Sequence, residues 1–306
     1  MFPAALAVGL FALSSVAARR SIHHLGSNDA SLVRILVAAL LLGVYAHGFG
    51  GGLSGPALGW FLLSGLVGFG ICDTALFLAL PRLGAQLGSL MVQCLSVPIG
   101  LAAEWAWLGT ALRPAQLAAI TVILAGVSMA LLPRPRDRRA PDEPSSRGPG
   151  PAALALGLVA AAGQGIGAVL SRHGTLLSAG AGHPVDGLTV AYQRIGAGVA
   201  FIVLWWWFHR LRAGRAAGVA AAAPARPWRR AAPWVLLNAL SGPTLGVASY
   251  QWALSLQPTG IVMAVAALTP LAVIPVSWCL EGQRPTLPSV AGGCVGVAGV
   301  VWLALG

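Results

Sequence analysis

From Ala231 to Leu280 the chain runs for fifty residues without a charged side chain. A soluble domain normally carries about 25% charged residues; this chain carries 9%, with 57% apolar residues. A hydrocarbon core about 30 Å thick needs about 20 apolar residues per helical span, so the uncharged stretch is long enough for two spans. Lipid offers no partner to a backbone N–H or C=O, and a helix bonds its own. The length of 306 residues would allow two soluble domains, but the charge distribution argues against them.

The same criterion predicts ten helices, at about 2–18, 31–47, 57–80, 83–103, 115–132, 152–171, 188–208, 233–256, 259–280 and 287–305. The expected fold class is an all-α integral membrane protein with ten transmembrane helices. The stretch Pro133 to Pro151, rich in Pro, Arg and Ser, reads as a linker. The Ala- and Arg-rich loop His209 to Arg230 reads as disordered or as an interfacial helix. The first span could instead be a signal peptide, since Ser15-Val16-Ala17-Ala18 would serve as a cleavage site. No basic residue precedes it, however, and a signal peptide needs a charged leading region. A retained first span is expected.

The ten helices fall into two copies of one unit. Pro98 and Glu104 recur 177 positions later as Pro275 and Glu281. The same offset links Ser64-Gly65 to Ser241-Gly242 and Pro81 to Pro258. With small gaps, Arg34-Ile35 matches Arg194-Ile195, Arg19 matches Arg172, and Ala125-Gly126-Val127 matches Ala298-Gly299-Val300. The expected organisation is a first five-helix repeat over 1–132, a linker over 133–151 and a second repeat over 152–306. Five spans per copy is odd, so consecutive copies would lie in opposite orientations, as an inverted repeat.

The net charge of +11 comes from Arg alone, as the chain has no Lys. In a soluble protein this would suggest nucleic acid. Here the Arg residues sit mostly between apolar runs, where orientation in the membrane explains them, and no nucleic-acid partner is expected. Cys72, Cys94, Cys279 and Cys294 lie inside apolar runs without the spacing of a metal site. They are expected to be buried free thiols, and no metal or other cofactor is expected.

Asp73 is the sharpest functional candidate, the one acidic residue well inside a span. It lies eight residues before Pro81, about 12 Å along a helix, near the midplane. A carboxylate there faces a cavity or a partner. It is either a proton-coupling or cation-binding group, or a packing group paired with Arg34. The repeat offset maps Asp73 onto Tyr250 and Thr74 onto Gln251, so both third helices carry polar groups at one depth. With Gln93 these residues are expected to line a shared cavity. Gln164 and Asn238 are further intramembrane amides, either substrate contacts or interhelical glue. Arg34 and Arg194, near the starts of their spans, either snorkel to the interface or take an anionic group. Glu104 and Glu281 sit at helix ends, where a charge needs no buried partner; a role in the turn is expected. Pro81, Pro98, Pro258, Pro270 and Pro275 interrupt or border spans as kinks or hinges. Gly292 and Gly296 form a small-xxx-small pair for close helix packing, with dimerisation as the alternative.

Two five-helix repeats with an Arg opening the second helix (Arg34, Arg194), and a Pro followed by a Glu in the fourth (Pro98/Glu104, Pro275/Glu281), resemble the paired EamA domains of the drug/metabolite transporter superfamily. The resemblance covers nearly the whole chain outside the linker and the 209–230 loop. It implies ten helices around a central cavity in the cytoplasmic (inner) membrane. It also implies alternating access and efflux of small metabolites, amino-acid-like compounds or drugs, with proton coupling as a candidate mechanism. The lipid bilayer and a small-molecule substrate are the expected partners; neither oligomeric state nor substrate follows. Small four-helix exporters of the superfamily carry a key Glu in the first helix, where this chain has Ser14 and Ser15.

Two other classes compete. Gly52-Leu53-Ser54-Gly55 has the form of an intramembrane serine protease motif, but the His that such an enzyme needs inside the membrane is missing. A non-transporting membrane scaffold is the third class, and no soluble signalling domain accompanies the spans. No enzymatic activity is expected. On orientation, loops after odd-numbered spans hold fifteen Arg, and those after even-numbered spans only Arg113 and Arg172. Basic loops stay cytoplasmic, which places both chain ends outside the cytoplasm. The family resemblance implies the opposite.

Overall fold

The computed structural model describes residues 1–83, 85–131, 150–216, 228–282 and 286–305. Most of the expected linker, and residues 217–227 of the second loop, lie outside the described residues. Among the described residues the structure is helical throughout, without a strand. The helices are α1 (Phe2–Leu25), α2 (Ser27–Gly48), α3 (Leu58–Gly65), α4 (Asp73–Leu83), α5 (Ala85–Leu108), α6 (Pro114–Leu131), α7 (Pro151–Gly180), α8 (Gly187–Ala216), α9 (Trp228–Ala239), α10 (Leu245–Leu256), α11 (Thr259–Ala266), α12 (Thr269–Glu281) and α13 (Leu287–Leu305). Proline stands in the first turn of α1, α7 and α12, where the missing N–H costs nothing.

These thirteen pieces make ten spans. Span three is α3 and α4 joined by a π-helical segment, Leu66–Cys72; span eight is α9 and α10 joined by a second, Leu240–Thr244. Span nine is α11 followed by α12. Nine of the ten, among the described residues, are long and apolar enough individually to cross a membrane. Span eight is the tenth.

The first π segment follows the repeated Ser-Gly pair and the second contains it, where span three and span eight each press against the other half. A Cβ on Gly65 would collide with the backbone carbonyl of Arg194. Ser64 Oγ donates to the Gly167 carbonyl at 2.5 Å. In the second half, a Cβ on Gly242 would run into Ser14, and one on Gly246 would stand 2.7 Å from the Phe11 ring. Pro243 adds a missing backbone donor inside the second π segment.

The main contacts between the halves obey one exchange rule. Span three packs on α7 and α8, and span eight on α1 and α2. Likewise α5 packs on α7, while α11 and α12 pack on α1. Three further pairs, α2 with α8, α5 with α11 and α6 with α13, map onto themselves. The small-xxx-small pair serves this last contact within the chain: a Cβ on Gly126 would stand 2.6 Å from Gly296 N and 2.7 Å from Gly292 O.

Span nine forms the centre, with every residue of α11 buried. The outer faces are apolar and open, with Leu40, Trp278 and Leu305 exposed. Lipid is the solvent such surfaces suit. Cys279 and Cys294 lie on them, contrary to the expectation of burial, while Cys72 is buried. Several helices outrun their expected ends: α1 continues past Ala18 to Leu25, and α7 past Ser171 to Gly180. The charges that suggested an end find partners on neighbouring helices. Arg19 donates to Ser277 Oγ at 2.6 Å, and Arg20 to the Leu280 carbonyl at 3.0 Å, while lying over the Trp234 ring.

Candidate functional site

A cavity of about 260 Å³ lies between the halves. Spans one, three and four contribute Phe11, Gly68, Phe69, Cys72, Asp73 and Gln93. Spans six to nine contribute Gln164, Ala168, Arg194, Val247, Tyr250, Ala266 and Thr269. Asp73 opens α4 directly after its π segment, and Tyr250 lies in α10 beyond the second one. The repeat therefore brings a carboxylate and a phenol to one cavity.

Of the residues singled out from sequence, the structure brings Asp73, Gln93, Arg194 and Tyr250 to this cavity, together with Gln164. Thr74 and Gln251 do not line it. Consecutive helical residues point about 100° apart, so when Asp73 and Tyr250 face inward their successors turn away. Gln251 is buried against span six, where Ser171 Oγ donates to its Oε1 at 2.5 Å. Asn238 acts as glue, accepting from Ser14 Oγ at 2.7 Å. Phe11, Phe69 and Thr269 were not singled out: two are ordinary members of apolar runs, and the third gave only the adjacent Pro270 as a signal.

The charges are unevenly matched. Arg34, half-buried on α2, is the charged group that bears on Asp73. Arg194 lies about two turns into α8 and is only 6% exposed, so it does not snorkel to the interface. Among the described residues its Nε has no hydrogen-bond partner. Its guanidinium lies 5.4 Å from the Phe69 ring centroid, and a Cβ on Gly68 would stand 3.2 Å from Nη2. A desolvated cation–π contact gives about 2 kcal/mol or somewhat more, less than the several kcal/mol that an unpaired buried charge costs.

The prolines divide into two kinds. Pro258 caps α11 and Pro270 opens α12, so they mark the two breaks around α11. Pro98 and Pro275 lie inside α5 and α12, which run on through them. Pro81 falls near the end of α4. The break at Ala267-Leu268 puts Ala266 and Thr269 on the cavity wall, with Thr269 Oγ1 donating to the Ala266 carbonyl at 2.7 Å. The N-terminus of α12 therefore starts beside the cavity, where it carries about half a positive charge.

Glu104 corrects an expectation. It ends its span but is 2% exposed, and Arg172 Nε lies 2.8 Å from its Oε1. Its Oε2 accepts the Thr259 backbone N–H at 2.7 Å. Arg172 also donates to the carbonyls of Leu254, at 2.6 Å, and Gln257. One ion pair thus joins α5 of the first half to α7 of the second. It also supplies the free backbone groups at the α10–α11 break. In the Gly-x-Ser-Gly motif Ser54 Oγ donates to the Gly51 carbonyl at 2.5 Å, closing a turn.

Comparison with known proteins places these features. A family model described as the EamA-like transporter family matches residues 1–132 and again residues 151–305. A solved structure described as "Crystal structure of protein" superposes with a TM-score of 0.69 at 18% identity. The alignment covers 99% of this chain and 96% of that one, and at this identity the likeness is one of fold. No curated protein matches the chain.

Proposed function

This chain belongs to the EamA-like transporter family, a multi-pass membrane transporter of small molecules, and from that premise we propose that it exports small organic metabolites across the cytoplasmic membrane by alternating access. The observation that carries the reading is the cavity between the halves, lined by polar groups from both at mid-span. Sites for drug-sized ligands run to about 300–1,000 Å³, so a cavity of about 260 Å³ suits a metabolite better than a drug. Five spans per half and the exchange of contacts between halves support an inverted repeat. In such a repeat, rocking one half against the other opens each side in turn. Asp73 is the coupling group in this reading, since a carboxylate beside a cavity can take and release a proton as the cavity changes sides.

The test is a metabolite and drug screen in cells with and without the protein, followed by flux in proteoliposomes. Protein-dependent loss of a metabolite from loaded cells is expected. If purified protein moves none of the compounds whose cellular levels it changes, the transport reading fails.

A further inference from the structure

We infer that the cavity takes an organic anion, a carboxylate or similar group on an apolar body, with Arg194 as its anchor. The inference rests on the transporter reading and narrows its substrate class. Two guanidiniums and one carboxylate bear on this part of the membrane interior. Asp73 is the carboxylate that bears on Arg34, although Arg34 Nε too has no hydrogen-bond partner among the described residues; Arg194 has neither an ion pair nor a hydrogen bond among them. A buried charge without a partner is costly in lipid and marks a functional group.

The surroundings of Arg194 fit the same class. Gly68 leaves space beside Nη2, where a Cβ would stand 3.2 Å away. The N-terminus of α12 begins at the cavity wall and adds positive potential. Tyr250 and the amides Gln93 and Gln164 offer hydrogen-bond donors. Phe11 and Phe69 supply apolar wall for the body of the molecule. A cationic ligand would meet the Arg194 charge with only an already opposed carboxylate to hold it.

Full-length protein in lipid nanodiscs tests this with three molecules of one shape and different charge: phenylacetate, phenethylamine and phenethyl alcohol. Phenylacetate is expected to raise the unfolding temperature and the other two to leave it nearly unchanged. Because a guanidinium–carboxylate contact is charge-assisted and two-pronged, Arg194→Gln should weaken phenylacetate at least about tenfold. Arg194→Lys keeps the charge but loses the fork, and should retain part of the effect. The unfolding temperature without ligand reports whether each variant folds. Gly68→Val offers a second route, filling the space beside Nη2 with the charge in place, and should also weaken binding. Preference for phenethylamine, no effect of phenylacetate, or equal stabilisation of the native protein and Arg194→Gln by phenylacetate each overturns the inference. Flux in proteoliposomes separates the two readings. Phenylacetate binding without flux of any compound sinks transport and leaves the anion site, whereas flux of the amine alone keeps transport and sinks the anion site.

Discussion

Glu104 and Asp73 are both carboxylates in apolar helices, and their surroundings give them different work. Glu104 has an ion pair with Arg172 at one oxygen, a hydrogen bond from the Thr259 N–H at the other, and almost no exposure. Removing one partner of a buried pair costs about 3–5 kcal/mol, because the other charge is left unpaired. Glu104→Ala should therefore lower the thermal unfolding midpoint markedly. Adding Arg172→Ala should recover part of the loss, since it removes the orphaned cation. An unchanged midpoint in the single variant would mean that the clasp holds nothing. Asp73 instead lines a cavity and has an Arg34 charge nearby without a hydrogen bond to it. Asp73→Asn should leave folded protein in the membrane and abolish transport driven by a pH gradient. Normal proton-driven flux from that variant would remove Asp73 from the coupling role. At this scale the sequence was half legible. A lone acid inside a span announces itself, whereas the Glu104–Arg172 pair joins residues far apart in the chain, in different halves, and nothing local in the sequence hints at their approach.

At the scale of elements, the repeat supplied the Ser-Gly landmarks but no expectation that the helices turn π-helical there. The recurring Ser-Gly pairs mark the two π segments because each glycine admits the backbone or side chain of the other half, a reason that becomes visible only once the halves are packed. The helix period then explains the cavity wall. Gln93→Cys and Tyr250→Cys, in a background without native cysteines, should react with a water-soluble thiol reagent and be protected by substrate. Gln251→Cys, which faces Ser171, should stay inert. Equal reactivity at all three positions would contradict the rotation of span eight described above. The contact between α6 and α13 gives a sharper test of packing. An added methyl at Gly126 meets backbone atoms of Gly292 and Gly296, which cannot swing aside. Overpacking of this kind costs about 1–3 kcal/mol, against a helix-propensity gain of up to about 1 kcal/mol for Gly→Ala. Gly126→Ala should therefore destabilise. At Gly9 in α1 a Cβ would meet nothing within 4 Å, and Gly9→Ala should be neutral or slightly stabilising by the same thermal measurement.

For the whole molecule, the ten spans and the two copies were legible because lipid demands long apolar helices and a duplication leaves landmarks at a constant offset. Orientation is the point where two arguments diverge, and the structure bears on one of them. Arg172, counted among the loops after even-numbered spans, lies inside α7 and is neutralised by Glu104. Arg113 is then the one Arg left on that side of the count. Arg19 and Arg20 remain on the other side, at the end of α1 beside the end of α12 and the start of α9. Arg82 ends α4, and Arg229 and Arg230 open α9, so they belong to the ends that odd-numbered spans finish on. Translocating such segments is unfavourable, which predicts that face in the cytoplasm and both chain ends on the opposite side. The usual orientation of the family would reverse this. A reporter active only in the cytoplasm, fused after Gly306, is expected to be silent, and the same reporter inserted within the 133–151 linker is expected to be active. Strong activity at the first position and none at the second would show that the long Arg-rich segments are translocated in spite of their charge, and would restore the family topology.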